Sequence, residues 1–356
     1  MEQKEAKPWW IWLTAMLLGM AVLLMLTGAA LAHEGGEAPE AVACLASGEK
    51  RLVPVGQTVG IKLFSRGVMV VGLADVATED GEASPARQCG LRTGDIITHI
   101  DGCQVDSIEE VQSLLQAAGG ERLAIQVSRG GRLVETETAA VQCMTDGSYR
   151  LGAWIRDSMA GIGTITYYDP DSGKFAALGH GINDIDTKLL MPLESGGIMG
   201  STVTGVQMGQ KGTPGELHGK FDLERDLGTL YANTDCGVFG VTQEDVFSGK
   251  ALPVAKTSEI KVGEATILSN VEGDQVKEYQ VEILRVYRCT GQDSRSMMIR
   301  VTDPELLEKT GGIVQGMSGS PILQNGKLVG AVTHVLVNDP TCGYAIFAET
   351  MLDAAG

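Results

Sequence analysis

The chain has 356 residues, 44% of them hydrophobic, and 47 glycines, which suits two or three globular domains rich in strands and loops. A formal charge of -17 and a pI near 4.7 argue against nucleic acid and anionic membrane surfaces as partners, because polyphosphate is repelled at long range. Protein or peptide partners are expected instead. The seven cysteines (Cys44, Cys89, Cys103, Cys143, Cys236, Cys289, Cys342) are dispersed, with no C-x-x-C pair and no Cys/His cluster at zinc spacing, so no metal site is predicted. Their odd number leaves at least one unpaired within the chain.

The first element is apolar. No charged residue occurs from Pro8 to Ala32, and Trp9, Trp10 and Trp12 stand at its start like an interfacial belt, which predicts one membrane helix within residues 1–32. A cleaved signal peptide is the alternative, since Ala30-Leu31-Ala32 has the small-x-small form read by signal peptidase. Either reading places the remainder outside the cytoplasm. Residues 33–50 are small, acidic and Pro/Gly-containing, and read as a linker.

From Arg51 short apolar strands alternate with turns. One helix is predicted over Ser107 to Ala118, where Ile108, Val111, Leu114 and Leu115 recur at helical spacing behind a Ser107 cap and an acidic first turn. Gly130-Gly131 between two alternating runs predicts a hairpin. Gly90-Leu-Arg-Thr-Gly-Asp-Ile-Ile-Thr-His-Ile-Asp-Gly102 followed by the capped helix resembles a PDZ domain of the bacterial protease type, which places such a domain at 51–142. The resemblance implies recognition of C-terminal peptide tails, with Val59, Gly60, Ile61, Lys62 and Leu63 falling where the carboxylate-binding loop would lie. The bland reading is that Gly60 only permits a turn.

Beyond Tyr149 β-branched runs such as Ile162–Tyr167 and Val281–Tyr287 alternate with glycine-rich turns, an all-β pattern of sandwich or barrel. The glycine-rich run from Ser195 to Gly215 lacks the ending of a phosphate loop, and no cofactor is expected.

Gly316-Met-Ser-Gly-Ser-Pro321 is where chemistry concentrates. A serine between glycines can project its hydroxyl, and the neighbouring N–H groups can face a developing oxyanion. Ile322-Leu323 then starts a strand, not the helix that follows a nucleophile elbow, and Asn325-Gly326-Lys327 predicts a hairpin. The loop is similar to the chymotrypsin-like G-D-S-G-G-P, with Met317 in place of the aspartate and Ser320 in place of the second glycine. Ser318 is then the nucleophile and Ser320 the lesser candidate.

Five histidines are available as a base. His33 falls in the linker, His99 in a PDZ strand and His218 in a glycine-rich loop, which leaves His180, between glycines after an apolar run, and His334 on a strand. His180 is the candidate base. For the acid, Asp222, Asp226 and Asp235 compete with Asp303, which also carries the signature of a helix N-cap before Pro304, with Gly311-Gly312 as the stop.

Gly161-Ile-Gly-Thr164, Ala177-Leu-Gly-His-Gly181, Thr213-Pro-Gly-Glu216, Thr302-Asp-Pro304, Gly311–Pro321 and Val332-Thr-His-Val335 together resemble the stage IV sporulation protein B (SpoIVB) peptidase family. The resemblance implies a mostly β protein with an N-terminal transmembrane helix, a PDZ domain and a chymotrypsin-like β-barrel peptidase domain at 145–356. It carries the triad onto Ser318, His180 and Asp303, with the N–H groups of Gly316 and Ser318 as oxyanion hole. It further implies an autoproteolytic sporulation endopeptidase held in the forespore inner membrane, facing the intermembrane space. There it would cleave a membrane-bound regulator of an intramembrane protease and so activate a late mother-cell sigma factor. The competing expectation is a membrane-tethered PDZ adaptor whose protease-like domain is catalytically dead.

Overall fold

A computed structural model describes residues 49–242, 246–288 and 295–356. The expected anchor at 1–32 and nearly all of the linker lie outside these, and among the described residues no helix is long and apolar enough to cross a membrane.

Six strands form the first barrel: β1 (Thr58–Leu73), β2 (Ala153–Tyr168), β3 (Lys174–Ala177), β4 (Leu193–Gln207), β5 (Glu216–Thr234) and β6 (Gly237–Val241). Antiparallel pairing runs β1–β2–β3–β6–β5–β4 and returns to β1, so the sheet closes on itself. Closure removes the unpaired edges that an open sheet of this length would expose. Val59, Ile61, Ile165, Phe175, Ile198 and Val238 fill its interior.

The second barrel contains β7 (Gly263–Ser269), β8 (Lys277–Val286), β9 (Met297–Val301), β10 (Pro321–Gln324), β11 (Lys327–Leu336) and β12 (Asp339–Phe347). Its strands obey the period of two: Tyr279, Val281 and Ile283 point inward on β8, between Glu278, Gln280 and Glu282. Asn325 and Gly326, with φ of 53° and 73°, make the two-residue turn joining β10 to β11. Leu52, Tyr167, Phe239, Leu328, Ala331, Ile346 and Met351 form a shared apolar seam between the barrels.

The PDZ domain packs helix α1 (Ile108–Ala118) over Val68, Val70, Ile97, Ile100, Ile125 and Val127. Ser107 and Glu110 form a reciprocal capping box at the start of α1, and Gly119 ends it in the left-handed region. The expected Gly130-Gly131 turn joins Arg122–Arg129 to Arg132–Ala139.

The domain borders differ from the sequence-based expectation of 51–142 and 145–356. Arg51–Pro54 pairs with β2, and Val59–Leu63 lies within β1, paired on one side with Met159–Gly163 and on the other with Gly196–Gly200. Both segments therefore belong to the first barrel, and the PDZ domain is an insertion between β1 and β2. Strand partners distant in sequence decide this, and local patterning carries no signal of them. Val59–Leu63 is thus not a carboxylate-binding loop: its backbone is spent on two neighbouring strands. Gly60 serves close approach, since a Cβ there would stand 2.6 Å from the Phe221 ring and 2.8 Å from Met199.

An insertion whose ends meet is separable. Leu73 and Ala153 are directly paired, so replacing the residues between them by an Asn-Gly turn is expected to leave the barrels folded, with one cooperative thermal transition. Deleting 51–142 removes β1 and is expected to abolish that transition.

Candidate active site

His180 leaves β3 on a turn that a chain of ordinary residues would resist. Leu178 and Gly179 both have φ of 69°; for leucine this left-handed conformation costs on the order of 1 kcal/mol. The turn fits under the second barrel only because Gly179 lacks a Cβ, which would stand 2.9 Å from Thr333 and 3.0 Å from Ile346. The His180 ring is half-buried, and its Nδ1 lies 2.8 Å from the Gly181 carbonyl. A carbonyl only accepts, so Nδ1 carries the proton in the neutral ring and Nε2 is left as the basic nitrogen. Burial pushes the imidazole below its usual pKa, and the Gly181 bond offsets this only in part. The loop beyond is pinned by Asn233, whose side chain accepts from Ile182 N–H and donates to the Ile182 and Met191 carbonyls.

The serine loop is fixed through its main chain. Buried Thr164 on β2 donates its N–H to the Ser318 carbonyl and its hydroxyl to the Gly316 carbonyl, at 3.1 and 2.7 Å. Gly319 N–H donates to the Val332 carbonyl at 2.7 Å. Gly319 has φ of 99°, and a Cβ there would stand 2.0 Å from the Thr164 carbonyl oxygen. Gln315 is bridged to Gly215 and Leu217, so Thr213–Glu216 also braces the loop. Ser318 Oγ donates to the Thr333 carbonyl at 2.8 Å.

Ser318, Gly316 and His180 line one cleft of about 300 Å³ with Ile61, Gly161 and Ile162. The N–H groups of Gly316 and Ser318 donate to no acceptor among the described residues. Such an arrangement can bind an oxyanion and place a base beside a hydroxyl. The ring of His334, on β11, lies beside that of His180, with centroids 5.2 Å apart and the planes tilted by 39°. Ser320 has no exposed surface and bonds to Ser269 in the barrel, which removes it as a nucleophile.

Asp303 is not brought to the imidazole. It caps α2 (Pro304–Thr310): one carboxylate oxygen accepts from Glu305 and Leu306 N–H, the other from Gln280 N–H at 3.2 Å. No hydrogen bond joins it to His180, so the carboxylate expected to orient the base is occupied as a cap. Asp222, Asp226 and Asp235 are exposed. The residues that sequence reasoning missed are Thr164, Asn233 and the Thr333 and Gly181 carbonyls. Thr164 and Thr333 stood within the quoted motifs, but main-chain roles leave no side-chain signature.

A second concavity, of about 1140 Å³, lies in the PDZ domain between α1 and the start of β2, lined by Ile108, Val111, Leu115, Leu151, Gly152 and Ile155. Ala153–Arg156 is paired on one edge only, with β1, and Gly152 has φ of 77°.

Residues 147–352 match the family model of the SpoIVB peptidase S55, and residues 78–129 match that of the PDZ domain. The zinc metalloprotease RasP of Shouchella clausii is 35% identical over 72 residues, 20% of this chain and 17% of its own length. A putative zinc metalloprotease of Bartonella henselae is 30% identical over 89 residues, 25% of this chain and 24% of its own. The chain thus spans less than a quarter of either. The PDZ domain of an SdrC-like protein from Listeria monocytogenes shares 24% identity, with a TM-score of 0.21 over 25% of this chain and 87% of that one. The active form of the Rv3671c protease from M. tuberculosis shares 14% identity, with a TM-score of 0.33 over 56% of this chain and 73% of that one. With over half its length within one family model, this chain belongs to the SpoIVB peptidase S55 family.

Proposed function

We propose that Ser318 is the nucleophile and His180 its base, and that the N–H groups of Gly316 and Ser318 hold the oxyanion. The observation that carries this reading is that all three lie on one cleft, with those two N–H groups unspent on the protein. Ser318 Oγ would turn from the Thr333 carbonyl toward His180 Nε2 and attack the scissile carbonyl, passing its proton to the ring. The imidazolium would then protonate the leaving amine, and water would release the acyl group by the reverse route. The Gly181 carbonyl keeps Nδ1 protonated, the orienting part that a carboxylate plays in a triad. Asp303 contributes by capping α2, whose end at Gly311 leads into the serine loop.

Family membership supports, as the biological setting of this proposal, a sporulation endopeptidase that cleaves itself and then a membrane-bound regulator of an intramembrane protease, leading to activation of a late mother-cell sigma factor. The uncharged stretch Pro8–Ala32 supports an anchor in the forespore inner membrane with the catalytic part in the intermembrane space. The PDZ groove between α1 and Ala153–Ile155 suits an extended peptide tail added along the open strand edge, its carboxylate at Arg150–Gly152.

Ser318→Ala is expected to abolish fluorophosphonate labelling and self-cleavage, with peptidase activity lower by about 10⁴-fold or more; equal labelling of the two proteins sinks the assignment. A depressed His180 pKa keeps the ring neutral at pH 7, so kcat/KM is expected to hold as pH falls toward the ordinary imidazole value of about 6.5. Its acid limb should have a midpoint below that value; a midpoint above it means a neighbouring anion that this geometry lacks. For Asp303, Asn retains the capping acceptor, so Asp303→Asn is expected to label within a few-fold of wild type. Asp303→Ala should lose about 1 kcal/mol of stability in denaturant titration. Complete loss of labelling in a folded Asp303→Asn protein returns the triad role to this residue.

A further inference from the structure

Arg156 sits where the β1–β2 ladder shifts register, between Arg156 and Ser158. Its guanidinium leaves the strand and pairs with Asp184, which has no exposed surface, and with Asp186 at 2.9 Å. Both carboxylates belong to the loop that begins at His180. Asp184 organises that loop: one of its oxygens accepts from Asp186 N–H at 3.1 Å, Thr187 N–H at 2.7 Å and the Thr187 hydroxyl at 2.9 Å. Its main chain is tied to Leu189 and Lys188. Burial opposes the charge on Asp184, yet the Thr187 donors and Arg156 outweigh it and hold its pKa below the usual range. Removing the cation would leave a buried carboxylate uncompensated, a large penalty that the loop relieves by moving.

The next residue is committed to the other domain. Asp157 Oδ2 accepts from the N–H of Ile108, the first residue of α1, at 3.0 Å. One dipeptide of β2 therefore grips the loop of the base and the helix that walls the PDZ groove. The same strand lines the groove at Ala153–Ile155 and the catalytic cleft at Met159–Ile162.

We propose that Arg156 is a positioning residue for His180, and that through Asp157 the position it sets answers to the PDZ helix. The proposal rests on His180 acting as base to Ser318. Two readouts on the full chain test it: the rate of Ser318 labelling by a fluorophosphonate, and the ¹⁵N NMR signature of the His180 ring, identified by its loss in His180→Ala. Arg156→Gln is expected to slow labelling roughly 10- to 100-fold, the effect of displacing a catalytic group by about an ångström, and to turn a single Nδ1–H tautomer into a mixture. Arg156→Lys should recover part of the rate. Asp157→Ala, which leaves both Arg156 ion pairs in place, should slow labelling by a smaller factor. Wild-type rate and tautomer in Arg156→Gln overturn the positioning role, and a wild-type rate in Asp157→Ala overturns the link to the PDZ helix. Should Arg156→Gln not fold, Arg156→Lys decides: it keeps a charge beside Asp184 without the two-pronged grip, and unchanged rate and tautomer in it overturn the proposal. If His180→Ala labels as fast as wild type, the assignment of the base has failed, and with a cause separate from Arg156.

Discussion

The antiparallel ladder between Thr58–Leu73 and Ala153–Tyr168 carries hydrogen bonds for three purposes at once. At one end it closes the first barrel. At the other it supplies the PDZ domain with Val68 and Val70 for its core and with an open strand edge beside α1. Between the two it presents Ile61, Gly161 and Ile162 to the cleft of Ser318 and His180, and Thr164 to the serine loop. Sliding this pairing by one residue would turn every side chain of the ribbon to its opposite face. Core, cleft and groove would be lost together.

Glycines and main-chain groups hold the site more than side chains do. Gly319 brings the serine loop against the Thr164 carbonyl, Gly179 lets the turn before His180 pass beneath Thr333, and two carbonyls, of Gly181 and Thr333, accept the hydrogen bonds of His180 Nδ1 and Ser318 Oγ. Main-chain acceptors have little freedom to move, so they define the resting geometry sharply. A carbonyl also lacks the full negative charge of a carboxylate. In the proposed mechanism an imidazolium at His180 would meet a carbonyl dipole and no full charge, and burial holds the pKa of the ring below its usual value.

What could be read before the structure was what depends on neighbours in sequence. Ser107 with Glu110, Gly130-Gly131 and Asn325-Gly326 are local devices, and each formed where its pattern stood. Ser318 stands out in the sequence because its loop packs small residues around a hydroxyl, and His180 because glycines flank it; the fold brings both to one cleft. Asp303 showed both faces of an ambiguity that local pattern cannot resolve: the same Asp-Pro-Glu serves as cap or as acid, and only the distant partner Gln280 and the absence of a bond to His180 separate the two. The extent of the PDZ domain was misread for a related reason. Val59–Leu63 has the composition of a strand or of a glycine turn, and its partners at Met159–Gly163 and Gly196–Gly200 come much later in the chain. Arg156 and Asp184 gave no signal, since an ion pair between them exists only once the ribbon and the loop meet.

The inserted position of the PDZ domain also bears on the order of folding. As the chain emerges from the ribosome, β1 can pair first within the insertion, Val68 and Met69 with Ile97 and Ile96, but its barrel end, Thr58–Leu63, has no partner until β2 has been made. Closing so long a loop carries an entropic cost before any bond of the β1–β2 ladder forms, and non-local pairing of this kind slows folding. A PDZ domain that has already folded brings Leu73 and Ala153 side by side and so reduces the loop to a hairpin turn. The inserted domain would in this way also shorten the path by which the surrounding barrel closes.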